Sequence, residues 1–197
     1  MAEVYGPKIV KDGLVLNLDA TDKNSYPGSG TTWYDLSGNN FHHTITNSPT
    51  YNGNSFTLNE TQGFTYASTI TTNTLCTVVI CYKSSDTQEL WVRGNNNASF
   101  YVAASISNGN YYQENSGTST YYIDNVQQIS PSGFHNNEYH VWEAKNINFS
   151  TWTSFQWFLY GSSWNLNGTV AKILMYNRSL TAKESEQNYN ALKTRFV

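Results

Sequence analysis

Leu75-Cys76-Thr77-Val78-Val79-Ile80-Cys81-Tyr82 is apolar on both of its faces. A strand in a half-solvated sheet alternates apolar with polar residues. An unbroken apolar run is instead the mark of a central strand of a sandwich, or of one whose outer face lies under a loop. The nearly unbroken part, Val78 to Tyr82, is far shorter than the 18 or so residues that span a bilayer, so it belongs in the middle of a protein core. Cys76 and Cys81 stand five apart within the strand-like run from Thr74 to Lys83. At about 3.3 Å per residue their Cα atoms lie roughly 16 Å apart on opposite faces, beyond disulfide reach. They read as free, buried thiols, which fits a reducing cytosol, and no His stands close in sequence to complete a metal site with them.

Outward from this run, period-two segments recur between turn residues. Leu14, Leu16 and Leu18 alternate with Val15, Asn17 and Asp19, and Phe56 and Leu58 alternate with polar neighbours. A long polar loop, Thr21 to Asn40, separates the two. Leu90-Trp91-Val92 stops at Gly94 and three Asn; Phe100, Val102, Ala104 and Ile106 mark one inward face; Asn108-Gly109 and Asp124-Asn125 read as turns. Between those turns stand Tyr111-Tyr112 and Tyr121-Tyr122-Ile123. Tyr139 to Ala144, Phe155 to Tyr160 and Thr169 to Tyr176 bring the count to about ten strands, spaced as an antiparallel sandwich requires. One helix is expected, from Ala182 to about Lys193. Thr181 precedes Glu184 by three, the spacing of a capping box, and Tyr189 and Leu192 share a face.

Composition sets the function classes. In 197 residues and 22.3 kDa there is no linker, repeat or second composition regime, so one domain is expected, with residues 1–12 as an N-terminal arm and 13–197 as the sandwich. Only 13% of the chain is charged, against roughly 25% in ordinary soluble domains, while 25 Asn, 21 Ser and 22 Thr make a neutral surface of hydroxyls and amides. A net charge of -3 and no run of Lys or Arg argue against nucleic acid. Met1 to Gly13 has no apolar h-region, so a soluble protein without a secretory signal, and no membrane partner, is the expectation.

Three segments carry a resemblance: Gly13-Leu14-Val15-Leu16-Asn17-Leu18-Asp19-Ala20; Ser25-Tyr26-Pro27-Gly28-Ser29-Gly30-Thr31-Thr32-Trp33-Tyr34-Asp35-Leu36-Ser37-Gly38-Asn39; and Gly168 to Thr181, running on into Glu184, Gln187, Asn188, Tyr189 and Leu192. They resemble the concanavalin A-like lectin/glucanase (laminin G-like) domains of tailed-bacteriophage virion proteins. The match covers both ends and hardly touches residues 88–156. The resemblance implies an all-β, two-sheet antiparallel jelly roll with a short C-terminal helix. It also implies a non-enzymatic virion component, a capsid decoration or a fibre or head-fibre part, assembled in the host cytoplasm as a homo-oligomer beside other virion proteins. The alternatives on this fold are an adhesin for host glycans and, more remotely, a glycan-cleaving enzyme.

Chemistry-bearing residues are sparse. Relatives carry an acidic turn where this chain has Asn59-Glu60-Thr61-Gln62-Gly63-Phe64; with two or three carboxylates gone, no cofactor is expected, and calcium would have only Asp19, Asp22 and Asp35 to draw on. Asp35 and Asp19 have plainer uses, holding their own loop and turn. The Glu-x-Asp-x-x-Glu pattern of the glucanases is absent, and Glu138 and Glu143 fall on opposite faces of a strand, so no catalytic residue is assigned. His42 and His43 are adjacent, and His135 and His140 are five apart. Neither spacing puts two imidazoles on one face, so all four read as surface or loop residues. Tyr111, Tyr112, Tyr121, Tyr122, Trp152 and Trp164 are the candidate ligand-binding residues, as rings that stack on sugars or form a subunit interface.

Overall fold

A computed structural model describes residues 7–84, 90–95, 101–105, 110–114, 116–129, 136–159 and 166–196. In chain order the strands are β1 (Leu14–Asp19), β2 (Thr32–Trp33), β3 (His43–Thr46), β4 (Thr50–Tyr51), β5 (Phe56–Asn59), β6 (Gly63–Tyr66), β7 (Cys76–Lys83) and β8 (Leu90–Gly94). They continue as β9 (Tyr101–Ser105), β10 (Asn110–Glu114), β11 (Thr120–Ile123), β12 (Val126–Gln128), β13 (Tyr139–Ile147), β14 (Phe155–Trp157) and β15 (Asn167–Tyr176), and helix α1 (Ala182–Leu192) follows. The first sheet runs β12-β11-β13-β7-β15-β5-β4, with β1 also on β15; the second runs β10-β9-β8-β14-β6-β3-β2. Every pairing is antiparallel. The chain is a two-sheet β-sandwich with one C-terminal helix.

β7 lies at the centre of the first sheet, between β13 and β15, as its apolar run requires. Its alternate residues serve two cores. Cys76, Val78, Ile80 and Tyr82 face the second sheet and meet Phe64, Val92, Phe155 and Trp157 there. Val79 and Cys81 point the other way, beside Val141, Leu174 and Tyr176. The two thiols are free, buried and on opposite faces. The second face is closed by α1 together with the segments beside it: Leu192 of the helix, Leu180 before it, Phe196 after it and Val10 cover it.

The helix is fixed at both ends of its attachment. Thr181 Oγ1 accepts from the Glu184 amide, and the Glu184 carboxylate accepts from the Thr181 amide, completing the capping box. Arg178 donates to both oxygens of Glu184, and this pairing holds the Glu184 carboxyl down to about 2. Residues 7–12 are bound to this face as well. Val10 N donates to Asn188 Oδ1, Tyr176 Oη donates to Val10 O, and Gln187 Nε2 donates to Lys8 O. This part of the expected N-terminal arm is therefore docked on its own domain, because Val10 is needed to finish the apolar cover.

Local corrections follow from packing. Loop 21–40 contains the short strand β2, whose Trp33 is wholly buried. Asp124 and Asn125, both at positive φ, form the two-residue turn between β11 and β12. The Asn108-Gly109 turn lies outside the described residues. His43 and His140 are buried strand residues, not surface ones. His43 stands between Phe41 O and the Trp157 indole, and His140 bonds Asp124 and Asn136.

Candidate functional site

The two sheets differ in what covers their outer faces: α1 and residues 7–12 lie on the first, whereas the second presents polar side chains. Antiparallel register places Thr32 beside Thr44, Thr44 beside Thr65, Thr65 beside Gln156, Gln156 beside Arg93, Arg93 beside Tyr101 and Tyr101 beside Glu114. Residues directly opposite one another point to the same side of a sheet. The neighbours of this row along the strands, Trp33, Phe64, Trp157, Val92 and Val102, are buried in the sandwich, so the row itself faces outward. Thr44 and Glu114 are exposed and the other five are half-buried.

Seven strands about 4.8 Å apart make this a track of roughly 29 Å. It offers three hydroxyls, one primary amide, one guanidinium and one phenol ring, with Glu114 as its only carboxylate. Such a surface can donate to and accept from a polyhydroxylated chain and stack one ring on it. These residues carry no motif. Their only signal was a polar residue between apolar neighbours, as in Phe155-Gln156-Trp157, and reading it needed the cross-strand register.

Of the six candidate aromatics, the four whose side chains are described lie in three separate places. Tyr111 and Tyr121 point into the sandwich and stack on each other, centroids 3.9 Å apart and planes parallel. Tyr122 lies on the opposite face of the first sheet, its ring 4.4 Å from Lys145 Nζ. Trp152 is 1% exposed, packed on Phe149 and Phe155 and against the bare Cα of Gly94. Trp152 and Tyr121 are core residues, and neither offers a free ring face to a ligand. The side chain of Tyr112 and the whole of Trp164 lie outside the described residues.

The three buried acids among the described residues, Asp19, Asp35 and Glu143, are committed to structure. Asp35 accepts from the amides of Asn17, Ser37 and Phe41, and Asp19 accepts from Thr21 and pairs with Lys172 and Arg195. Burial alone would raise the Asp19 pKa, but Lys172 above all keeps it lowered. Glu143 is buried beneath α1, bonded to Ser185 and Lys145. At the Asn59–Gly63 turn, Gln62 Nε2 donates to the carbonyls of Asn47 and Ser48, an amide holding two oxygens together. Among the described residues no group of three His, Cys, Asp or Glu could hold a metal.

Comparison with solved structures places this geometry among known folds. Domain 4 of AbnA, a GH43 extracellular arabinanase from Geobacillus stearothermophilus solved with arabinotriose, is similar at TM-score 0.59 and 14% identity, over 92% of this chain and 98% of that one. The likeness is one of fold: a two-sheet antiparallel β-sandwich. The sialidase of Trypanosoma rangeli is similar at TM-score 0.57 and 13% identity, and its complex with sialic acid at 0.54 and 12%. In both cases 92% of this chain is covered, and the chain spans 33% of the sialidase. No family model and no curated protein matches the sequence.

Proposed function

We propose that the protein is a non-catalytic carbohydrate-binding β-sandwich that takes a neutral glycan chain along the outer face of its second sheet. The observation that carries this reading is the seven-strand row from Thr32 to Glu114, polar, with one cation and one anion that balance, and outward-facing, on a sheet whose counterpart is covered. A neighbour of nearly equal length is a separate domain of a glycan-degrading enzyme, solved with an arabinose oligomer, which supports a binding module and makes arabino-oligosaccharide the first probe.

The experiment is affinity electrophoresis and calorimetry with arabinan, other neutral glycans and sialylated glycans, with and without chelator. Saturable binding is expected with at least one neutral glycan. Gln156→Ala and Tyr101→Ala should each weaken it about tenfold, with melting curves checking that each variant is folded. Binding that both variants retain would remove the site from this face, and none in any arm would remove the reading.

A place on a phage particle, as decoration or fibre part, is the second reading. It is supported by the resemblance of residues 25–39 and 168–181 alone. Those residues build the scaffold: Tyr26 and Trp33 fill the core, and Ser25 Oγ ties Asp19 to Tyr34. The string therefore encodes the sandwich more than its address. Specific, saturable attachment to a purified capsid or fibre, with no glycan bound, would favour it.

A further inference from the structure

Among the described residues Tyr34 is the only exposed aromatic side chain, at 41%. A single exposed ring needs no explanation by itself. This one is held in place. Its amide donates to Ser25 O at 2.7 Å and its carbonyl accepts from Ser25 Oγ at 2.6 Å, so the backbone is fixed on both sides of the ring. The residues before and after it, Trp33 and Asp35, are buried. The ring meets His42 edge to face, centroids 5.1 Å apart, and the Asp35 amide fixes His42 in turn by donating to its Nδ1. A ring so braced has little freedom left to lose when a ligand settles on it.

Register sets its place relative to the track. Thr32 pairs with Thr44, and Trp33 with His43. Tyr34 and His42 come next on the two segments, and their ring contact carries the pairing past the end of β2. Alternation then returns both to the side of Thr32 and Thr44, the outer face of the second sheet, with buried Trp33 and His43 between. Tyr34 therefore stands about 7 Å from Thr32 along the chain, at the end of the track remote from Tyr101. From β2 through β3, β6, β14 and β8 to β9 the sheet makes five strand spacings, about 24 Å in all. The row between the two rings carries the hydroxyls of Thr32, Thr44 and Thr65, the Gln156 amide and the Arg93 guanidinium.

We infer, resting on the reading that this face binds a neutral glycan, that Tyr34 is a second stacking platform for an extended chain of pyranose sugars long enough to reach Tyr101. Sugar shape selects the class. An equatorially linked pyranose gathers its axial C–H bonds on flat faces that lie on an aromatic ring, and its hydroxyls point from the rim toward the Thr, Gln and Arg side chains. A puckered furanose has no such face. With a platform near each end of the row, a short oligosaccharide reaches one ring and a long one reaches both, the second contact being made at high effective concentration.

The test is calorimetry of the intact protein with the trisaccharides and hexasaccharides of the 1,4-β-glucan, xylan and mannan series, and with arabinohexaose as a furanose chain of equal length. At least one pyranose hexaose should bind saturably, about tenfold or more tighter than its own triose and than arabinohexaose. Tyr34→Ala should bring that hexaose down to the level of the triose, and Tyr34→Phe should restore it, because stacking needs the ring and not the hydroxyl. Melting curves check that each variant is folded, and Tyr34→Leu, which keeps bulk against His42 without a flat face, replaces the Ala variant should that one fail. A hexaose weakened by Gln156→Ala but not by Tyr34→Ala would leave the track standing and overturn the platform. Equal weakening of triose and hexaose by Tyr34→Ala would make its role structural and overturn it as well. Arabinohexaose binding as tightly would overturn the pyranose class. No binding by any chain, or binding indifferent to Gln156→Ala, Tyr101→Ala and Tyr34→Ala alike, would remove the glycan reading of this face and the platform with it.

Discussion

His43 shows how a single side chain sets a pH limit on the fold. Its Nε2 accepts from the Trp157 indole at 2.8 Å, so the proton sits on Nδ1, which donates to Phe41 O at 2.8 Å. Protonating Nε2 would break the indole bond and leave a charge in the core. Burial accordingly pushes the pKa from the ordinary 6.5 to about 4. Between those values the unfolded chain binds more protons than the folded one, so stability falls as pH falls through this window. At pH 5 the loss relative to pH 7 is about 2 kcal/mol from this residue. Unfolding free energies from urea titrations at the two pH values should draw closer together in His43→Gln by that amount, and an equal loss in both proteins would refute the neutral assignment. Gly94 is a second residue-scale case. Its φ is ordinary, but a Cβ there would fall 2.5 Å from the Trp152 ring. Gly94→Ala should therefore destabilise by about 1–3 kcal/mol through overpacking, and Trp152→Phe in the same chain should recover part of it in a double-mutant cycle.

Among the elements, α1 depends on the sheet for most of its stability, since an isolated eleven-residue helix is marginal in water. Leu192, 1% exposed, anchors it on the second core. Leu192→Ala should cost about 2–5 kcal/mol, and hydrogen exchange should show the loss at α1 and at Val10 together, because Val10 N is held by Asn188 Oδ1. Exchange that speeds up in α1 alone would mean that residues 7–12 are held by something else. This helix was legible in full from Thr181, Glu184 and Leu192. β1, β7, β13 and β15 were legible as elements, from apolar runs set by burial, although β13 runs on to Ile147 and β15 begins at Asn167. What covered β7 was not legible. An apolar run records that both faces are buried, but not whether a loop or a helix buries them.

Across the whole molecule, the same physics explains why aromatic residues alone do not mark a ligand site in this sequence. Aromatic residues signal both sugar stacking and core packing, and in a sandwich with so few charges the core claims them: Tyr111 stacks on Tyr121, and Trp152 fills the space at Gly94. The track on the second sheet instead draws one residue from each of seven strands, spread from Thr32 to Gln156, and becomes visible only once the registers are known. Neutral glycan on the track exchanges hydrogen bonds and ring contact and engages no net charge. Raising salt from about 0.1 M to 1 M, over which the Debye length shrinks from about 10 Å to about 3 Å, should therefore leave its affinity within about twofold, read by calorimetry. A loss of tenfold or more would mean that charged groups hold the ligand, and the neutral track would have to be given up as the site.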